Sequence, residues 1–439
     1  MKTKADPAPA PATKTLMASK PPTIAEVARP ARRVSGLGWP ARLRKGGYWT
    51  LVLALVALNL VRLRDAWPPS DPPAIARMIE RNRLDDAEGA LRDRLRRAPF
   101  EGDSRINLAQ ILARRGDMLG ASAQFGLVPA WWPSKPEALF REGQAAMAAG
   151  LAVEAEAAWR ACLTDDPLHP APSPVFSASA SELLGLLNLE GRFDESISLL
   201  WSISEGASEG DRPSILQTIM DLRLQSREVP TDLNSTARLQ RFAEADPGDV
   251  EARLALARAA RTEKKWDEAL RWVDSALSAH PDHLAARAER LAILEAWGDR
   301  AEFQGEVARL PRSDAVDADG GLWAHRALAR EFAGDLAGAA EAYRRAIALR
   351  GGDESLLDRA SKVDERLGDA ESARSNRGRA ELIREARLAF FVAHRAFLDA
   401  TSGRRTDAEL APIRSRLADL AKALGWDREA SAWKRPPKP

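Results

Sequence analysis

Small and large apolar residues recur with a period of 34 residues along most of the chain. Three segments of that length, 68–101, 102–135 and 136–169, follow one another without a gap. When each is numbered from 1 to 34, position 20 is always alanine and position 24 is always large: Ala87, Ala121 and Ala155, then Leu91, Phe125 and Trp159. Apolar positions 4, 7, 8 and 11 share one face of a helix, and positions 20, 24 and 27 share one face of a second. The pattern predicts helical hairpins.

Further copies of the period follow the first three. The copy 250–283 fits well, and weaker copies lie at 177–210, 216–249, 284–317, 320–353 and 354–387. The copy 216–249 departs most, because Arg223 stands at position 8, where a small residue is expected, and Pro230 at position 15. Only its second helix is secure from the sequence.

The period resembles the tetratricopeptide repeat. Gly-Asp stands near positions 15–16 of several copies, as in Gly334-Asp335 and Gly368-Asp369, and proline at position 32, as in Pro99 and Pro167. Glycine can end the first helix in the left-handed conformation, aspartate can cap the next helix, and proline stops the second. The resemblance implies an all-α fold, a right-handed superhelical α-solenoid of about nine hairpins that stack to bury their apolar faces.

The period divides the chain into regions. We assign three regular repeats to 68–169, two degenerate repeats with insertions to 170–249, four repeats to 250–387, and capping helices with a tail to 388–439. Two insertions, 170–176 and 211–215, are expected to be kinks or loops between stacked repeats.

An uncharged apolar run lies ahead of the repeats. Gly46–Val61 contains no charged residue and includes eight Leu or Val residues between Leu51 and Val61. We predict a transmembrane signal-anchor helix over 46–65, preceded by a disordered Pro/Ala/Lys-rich tail over 1–45. A cleaved signal peptide and a soluble helix are the alternatives, although no small-residue cleavage site follows the run.

The charges around the run predict an orientation. Ten Lys or Arg residues precede it, whereas Arg62 and Arg64 follow it closely. Because basic segments stay in the cytoplasm, we expect a single-pass protein of the cell inner membrane, with a cytoplasmic N-terminus and periplasmic or other extracytoplasmic repeats.

Composition and motifs argue against nucleic-acid binding, metal or cofactor binding, and catalysis. The 65 basic and 63 acidic residues give a net charge of +2, which is not the basic excess of a nucleic-acid binder. Cys162 is the only cysteine, so no disulfide within the chain and no cysteine-based metal site can form. His280 and His283 lack a third ligand at a fixed spacing. No HExxH or P-loop motif occurs. We predict no cofactor, no metal, no small-molecule substrate and no enzymatic activity.

The resemblance implies a binding face. In the family the concave surface is lined by first-helix residues, which correspond here to Ile106, Gln110, Arg114, Phe140, Gln144, Met147, Leu254, Arg258 and Arg261. Such a mixed groove suits an extended peptide or a helix. Trp131 and Trp132 are separate candidates for an exposed contact, with packing on a neighbouring turn as the alternative.

These observations predict a membrane-anchored scaffold that mediates protein–protein interaction. Resemblance to other single-pass repeat proteins suggests a role in envelope protein export or complex assembly. The alternative is a cytoplasmic adaptor without enzymatic activity.

Overall fold

The computed structural model describes residues 72–164, 175–206, 211–224, 229–350, 353–402 and 407–434, and within these ranges it consists of helices and turns without a strand. Among these residues, no helix combines the length and the apolar character needed to cross a bilayer. The predicted tail over 1–45 and the predicted anchor over 46–65 lie outside the described residues.

Twenty-one helices are described. The first ten are α1 (Pro72–Glu80), α2 (Leu84–Arg97), α3 (Gly102–Arg114), α4 (Met118–Gly126), α5 (Lys135–Ala149), α6 (Ala152–Leu163), α7 (Phe176–Leu189), α8 (Phe193–Gly206), α9 (Arg212–Leu224) and α10 (Leu233–Ala245). The others are α11 (Val250–Thr262), α12 (Trp266–Ala279), α13 (Leu284–Trp297), α14 (Arg300–Ala308), α15 (Asp314–Asp317), α16 (Gly320–Phe332), α17 (Leu336–Arg350), α18 (Glu354–Leu367), α19 (Ala370–Ser402), α20 (Asp407–Ala423) and α21 (Asp427–Lys434). The predicted all-helical, tetratricopeptide-like solenoid is confirmed.

The turn inside several hairpins uses the predicted Gly-Asp chemistry. Gly116 adopts a φ of 84° after α3, a left-handed conformation that costs glycine little. Asp117 then caps α4, because its Oδ1 accepts a hydrogen bond of 2.8 Å from the backbone N–H of Gly120. Gly334 and Asp335 repeat this arrangement between α16 and α17, with a cap of 2.9 Å to Gly338. One dipeptide thus ends one helix and starts its partner.

Small residues let the paired helices approach closely. Ala87, Ala121, Ala155, Ala269 and Ala339, all at position 20, are fully buried. The large residues at position 24 are buried beside them: Leu91, Phe125, Trp159, Val273 and Tyr343. Each alanine makes room for the neighbouring helix, and each large residue fills the space between hairpins.

The second predicted insertion is helical rather than a loop. Helix α9 begins at Arg212, so most of 211–215 belongs to its first turn. Proline is tolerated there because the first N–H groups of a helix have no partner inside the helix, so Pro213 does not block α9. Most of the first insertion, 170–176, lies outside the described residues, and α7 begins at Phe176.

The degenerate copy 216–249 does not form a hairpin with one shared core. On α9, Ile219 and Met220 are buried together with residues of the C-terminal helices. On α10, Leu239 and Phe242 are buried with α7 and α11 instead. The bulky Arg223 at position 8 occupies the place where the period requires a small residue for close approach.

The C-terminal helices cover the last repeat and also reach back to α8 and α9. Helix α19 runs for 33 residues and does not stop where the period lapses at Arg387. Its Phe390 is buried with Leu417 of α20 and Trp433 of α21. Helix α21 additionally pairs with α9 through Glu429. The array is therefore closed by a contact between distant parts of the chain.

Candidate partner-binding surface

The first-helix positions predicted to line a groove do not share one environment. On α3, Gln110 and Arg114 are exposed, whereas Ile106 is partly buried against the core of the first repeats. Of these three predicted residues, only Gln110 and Arg114 are exposed enough to meet a partner.

On α5 the predicted residues lie mostly inside. Phe140 is buried and Met147 is partly buried in the core shared with α6 and α7. Gln144 is half-buried, and its Oε1 accepts a hydrogen bond of 3.2 Å from Arg141 Nη1. This helix presents polar atoms rather than an apolar floor.

On α11 the prediction is wrong for Leu254. Its side chain is fully buried among residues of α11, α12 and α13. The opposite side of α11 packs on α7 and α10 through Ala252, Ala255 and Ala259. Because helices enclose α11 on both sides, Leu254 cannot contact a partner in this structure.

Arg258 and Arg261 are held by protein partners. Arg258 Nη1 donates to the carbonyl oxygen of Glu190 at the end of α7, at 2.9 Å. Both guanidinium groups face the nearly buried carboxylate of Glu289 on α13, with Arg261 Nε 2.7 Å and Arg258 Nε 3.5 Å from its oxygens. These arginines bind neighbouring helices together, so the nine predicted residues do not form one continuous groove.

The two adjacent tryptophans lie in different environments, one packed on a helix end and one exposed. Trp132 donates from Nε1 to Asp103 Oδ1 at 2.9 Å, and its ring lies against Gly102. A Cβ on Gly102 would lie 2.4 Å from Trp132 Cγ, so only glycine allows this contact. Trp131, whose ring centroid is 5.5 Å from that of Trp132, is 58% exposed.

Trp131 belongs to an exposed apolar edge of the first repeats. Phe100 precedes α3, and Leu127 follows α4, with exposed fractions of 70% and 55%. The packing of Trp132 on Gly102 brings the turn before α3 next to the turn that follows α4. We call Phe100, Leu127 and Trp131 the rim patch. Bulky apolar side chains this exposed are a feature of contact surfaces.

An ionic cluster joins α6, α7 and α8, and sequence reasoning missed it. The guanidinium of Arg192 contacts Glu156 at 2.6 Å, Glu195 at 2.8 Å and Glu190 at 2.9 Å. Burial raises the pKa of Glu190 to about 8, against the lowering effect of its contact with Arg192. The hydrogen-bonded glutamates raise the pKa of Arg192 against the effect of its burial. The signal was Gly191-Arg192, which replaces Gly-Asp at positions 15–16.

The described residues contain no group of three or more His, Cys, Asp or Glu side chains that could hold a metal ion.

The thiol of Cys162 is partly buried and donates to the carbonyl oxygen of Pro136 at 3.5 Å. Burial raises the pKa of the Cys162 thiol, which favours its protonated form. His283 Nδ1 accepts from the backbone N–H of Ala286 at 3.3 Å and caps α13.

Two stretches of the chain match the family model described as Tetratricopeptide repeat, namely residues 79–128 and 235–283. The chain therefore contains tetratricopeptide repeats. No curated protein is similar enough in sequence to count as a relative.

Solved structures show broad but distant similarity. A tetratricopeptide repeat protein from Parabacteroides merdae is 15% identical with a TM-score of 0.27, over 60% of this chain and 98% of that one. A human IFIT1 dimer with m7Gppp-AAAA is 11% identical with a TM-score of 0.35, over 80% of this chain and 93% of that one. Yeast Tom70 is 12% identical with a TM-score of 0.30, over 82% and 94%.

Proposed function

We propose that this protein is a membrane-anchored scaffold that binds another protein, or an extended segment of one, through its N-terminal repeats. The rim patch carries the proposal. It offers Phe100, Leu127 and Trp131 to solvent on turns between helices that pack in the core of the first repeats. Exposed aromatic residues on a rigid support supply much of the binding energy in protein interfaces.

The polar residues Gln110 and Arg114 extend this surface along α3. Both are exposed. They provide amide and guanidinium donors for the backbone or carboxylates of a bound segment. The partner we expect is a protein segment that inserts an apolar side chain at the rim patch.

The anchor and the location are part of the same proposal. Residues 46–65 would hold the protein in the inner membrane, with the N-terminus in the cytoplasm and the repeats outside. The ten basic residues ahead of the apolar run support this orientation. A role in envelope protein export or complex assembly follows from this location.

Site-specific photo-crosslinking in intact membranes tests the binding surface. A photoreactive amino acid at position 131 or 110 of the full chain should give one discrete adduct with another protein. The control position is Leu233, which is 88% exposed but lies on α10. Trp131→Asp should abolish the adduct formed from position 110. Equal labelling from 233, or no adduct from 131 and 110, would contradict the proposal.

A cytoplasmic adaptor is the second candidate, since Arg62 and Arg64 weaken the charge difference across the apolar run. Alkaline phosphatase fused after residue 439 separates the two. An active fusion places the repeats outside the cytoplasm, and an inactive but expressed fusion supports the adaptor.

A further inference from the structure

The outer face of α19 is apolar in its middle. Leu388, Phe391 and Val392 are 67%, 49% and 59% exposed. The opposite face of this helix is in the core, where Ile383, Ala386 and Phe390 are buried. Leu388 is three residues from Phe391 and four from Val392, so the three side chains lie on one face of α19. The described residues leave this face uncovered.

Two opposite charges frame the apolar residues. Glu385 and Arg395 are both exposed. The positions 385, 388, 392 and 395 are spaced three, four and three residues apart, which is the spacing of a coiled-coil seam. We call Glu385, Leu388, Val392 and Arg395 the α19 seam.

The α19 seam is complementary to itself when its direction is reversed. In an antiparallel pair centred at residue 390, Leu388 of one copy faces Val392 of the other. Glu385 then faces Arg395 of the other copy, and this ion pair forms twice because of the two-fold symmetry. We propose that two copies of this chain associate through antiparallel pairing of their α19 helices.

A second copy is the occupant we infer, because the charge and apolar order of the α19 seam matches its own reverse. The next positions outward limit the contact. Glu381 would face Asp399, a like-charged pair, and Asp399 already has a partner within its own chain. The seam is thus about two helical turns long, and a contact this small gives a reversible dimer rather than a permanent one.

Charge reversal of the full-length protein in detergent tests the pairing. Sedimentation velocity over a concentration series measures the dimer dissociation constant. Glu385→Arg places two cations opposite each other, and Arg395→Glu places two anions opposite each other. Each single variant should weaken the dimer at least about tenfold. The double variant Glu385→Arg with Arg395→Glu restores opposite charges and should return to within about threefold of the wild type.

Leu382→Glu is the matched control, because Leu382 is 66% exposed on the same helix but lies about 120° around it from Leu388. It should leave the dissociation constant unchanged, whereas Leu388→Glu should give a monomer with unchanged circular dichroism. A wild-type protein that stays monomeric at every concentration would overturn the proposal. A dimer that the single charge reversals do not weaken, or that the double variant does not restore, would overturn it equally.

Discussion

Arg223 of α9 and Glu429 of α21 form an ion pair across 206 positions of sequence, with Arg223 Nε 3.0 Å from Glu429 Oε1. The carboxylate of Glu429 is 2% exposed, whereas the arginine side chain is 26% exposed. The guanidinium also lies over the ring of Trp426, 5.8 Å from its centroid. This pair marks the contact that closes the repeat array.

Removing Arg223 should destabilise the protein strongly. Arg223→Ala leaves Glu429 buried without its cation, and we expect the free energy of unfolding to fall by about 2–4 kcal/mol. Urea unfolding followed by circular dichroism measures the change. The control is Glu205→Ala, which breaks the pair between Arg428 and Glu205 at the same contact and leaves Arg428 over the ring of Trp201. Both side chains of that pair are mostly exposed, so its loss should cost less than about 1 kcal/mol. Equal losses would show that burial of Glu429 does not matter.

His394 should make the same region sensitive to acid. The imidazole is buried between Phe390 and Trp433, and its Nε2 has no hydrogen-bond partner among the residues that the structure describes. Burial lowers the pKa of His394, although Asp221 on α9 acts in the opposite direction. Because the folded protein takes up this proton less readily than the unfolded chain, the contribution is present above the ordinary pKa of about 6.5 and is lost as the pH falls through the folded pKa.

His394→Leu should therefore reduce the loss of stability between about pH 7.5 and pH 5, as measured by urea unfolding at each pH. The control is His280→Leu, which removes an exposed histidine and should lose as much stability as the wild type. The same acid-dependent loss in His394→Leu and the wild type would be evidence against this role.

Glu190 should act in the opposite pH direction. Its pKa is raised to about 8 by burial, so the folded protein holds a proton that the unfolded chain releases near pH 4.5. The stabilising contribution is complete below that unfolded value and is lost as the pH rises to about 8. Glu190→Gln cannot ionise and keeps the neutral form. Its stability relative to the wild type should grow by at most about 1.4 kcal/mol per pH unit across this window.

Unfolding measurements at about pH 5 and pH 8 check this difference. Glu154→Gln, which removes an exposed carboxylate from α6, is the control and should change little at either pH. The prediction fails if Glu190→Gln and the wild type keep a constant difference.

Two helical glycines should respond oppositely to alanine. A Cβ on Gly143 of α5 would lie 2.3 Å from Nε1 of the fully buried Trp159, so Gly143→Ala should cost about 1–3 kcal/mol or more. A Cβ on Gly185 of α7 would meet no atom of the described part of the chain within 4 Å. Gly185→Ala should therefore stabilise the protein by about 0.5–1 kcal/mol. Thermal unfolding of both variants gives the comparison, and a shift of the same sign in both would refute it.

The repeat period predicted the helices well because it reports on contacts between neighbours. Ala155 and Trp159 lie three or four residues from other core positions, and the hairpin they belong to is a local structure. The prediction that Leu254 lines a binding face was wrong because it depends on contacts with several other helices. Its burial depends on how α12 and α13 enclose α11, together with α7 and α10 on the other side, and a repeat position does not encode those neighbours.

The irregularity at Arg223 can be predicted from the sequence, but its ion-pair partner cannot. Its bulk at a small-residue position indicated that the copy 216–249 is irregular. Glu429, the ion-pair partner of Arg223, lies outside any repeat. The period therefore could not predict this ion pair. The rim patch was predicted only in part. The sequence marks Trp131 and Trp132 together, but the pattern gives no sign that the ring of Trp132 lies against Gly102 and is partly buried there.

The distance between Arg223 and Glu429 has a consequence for synthesis on the ribosome. In an ordinary repeat array each hairpin can settle on the one made before it. Helix α9 can pack on α8 as it emerges, but its contact with the C-terminal helices is complete only when α21, whose Glu429 lies 206 residues further along, has been made. At a translation rate of about 5–20 residues per second, that interval lasts roughly 10–40 s. Until then, Ile219 and Met220 lack the part of their cover that the C-terminal helices supply, and chaperones can bind them.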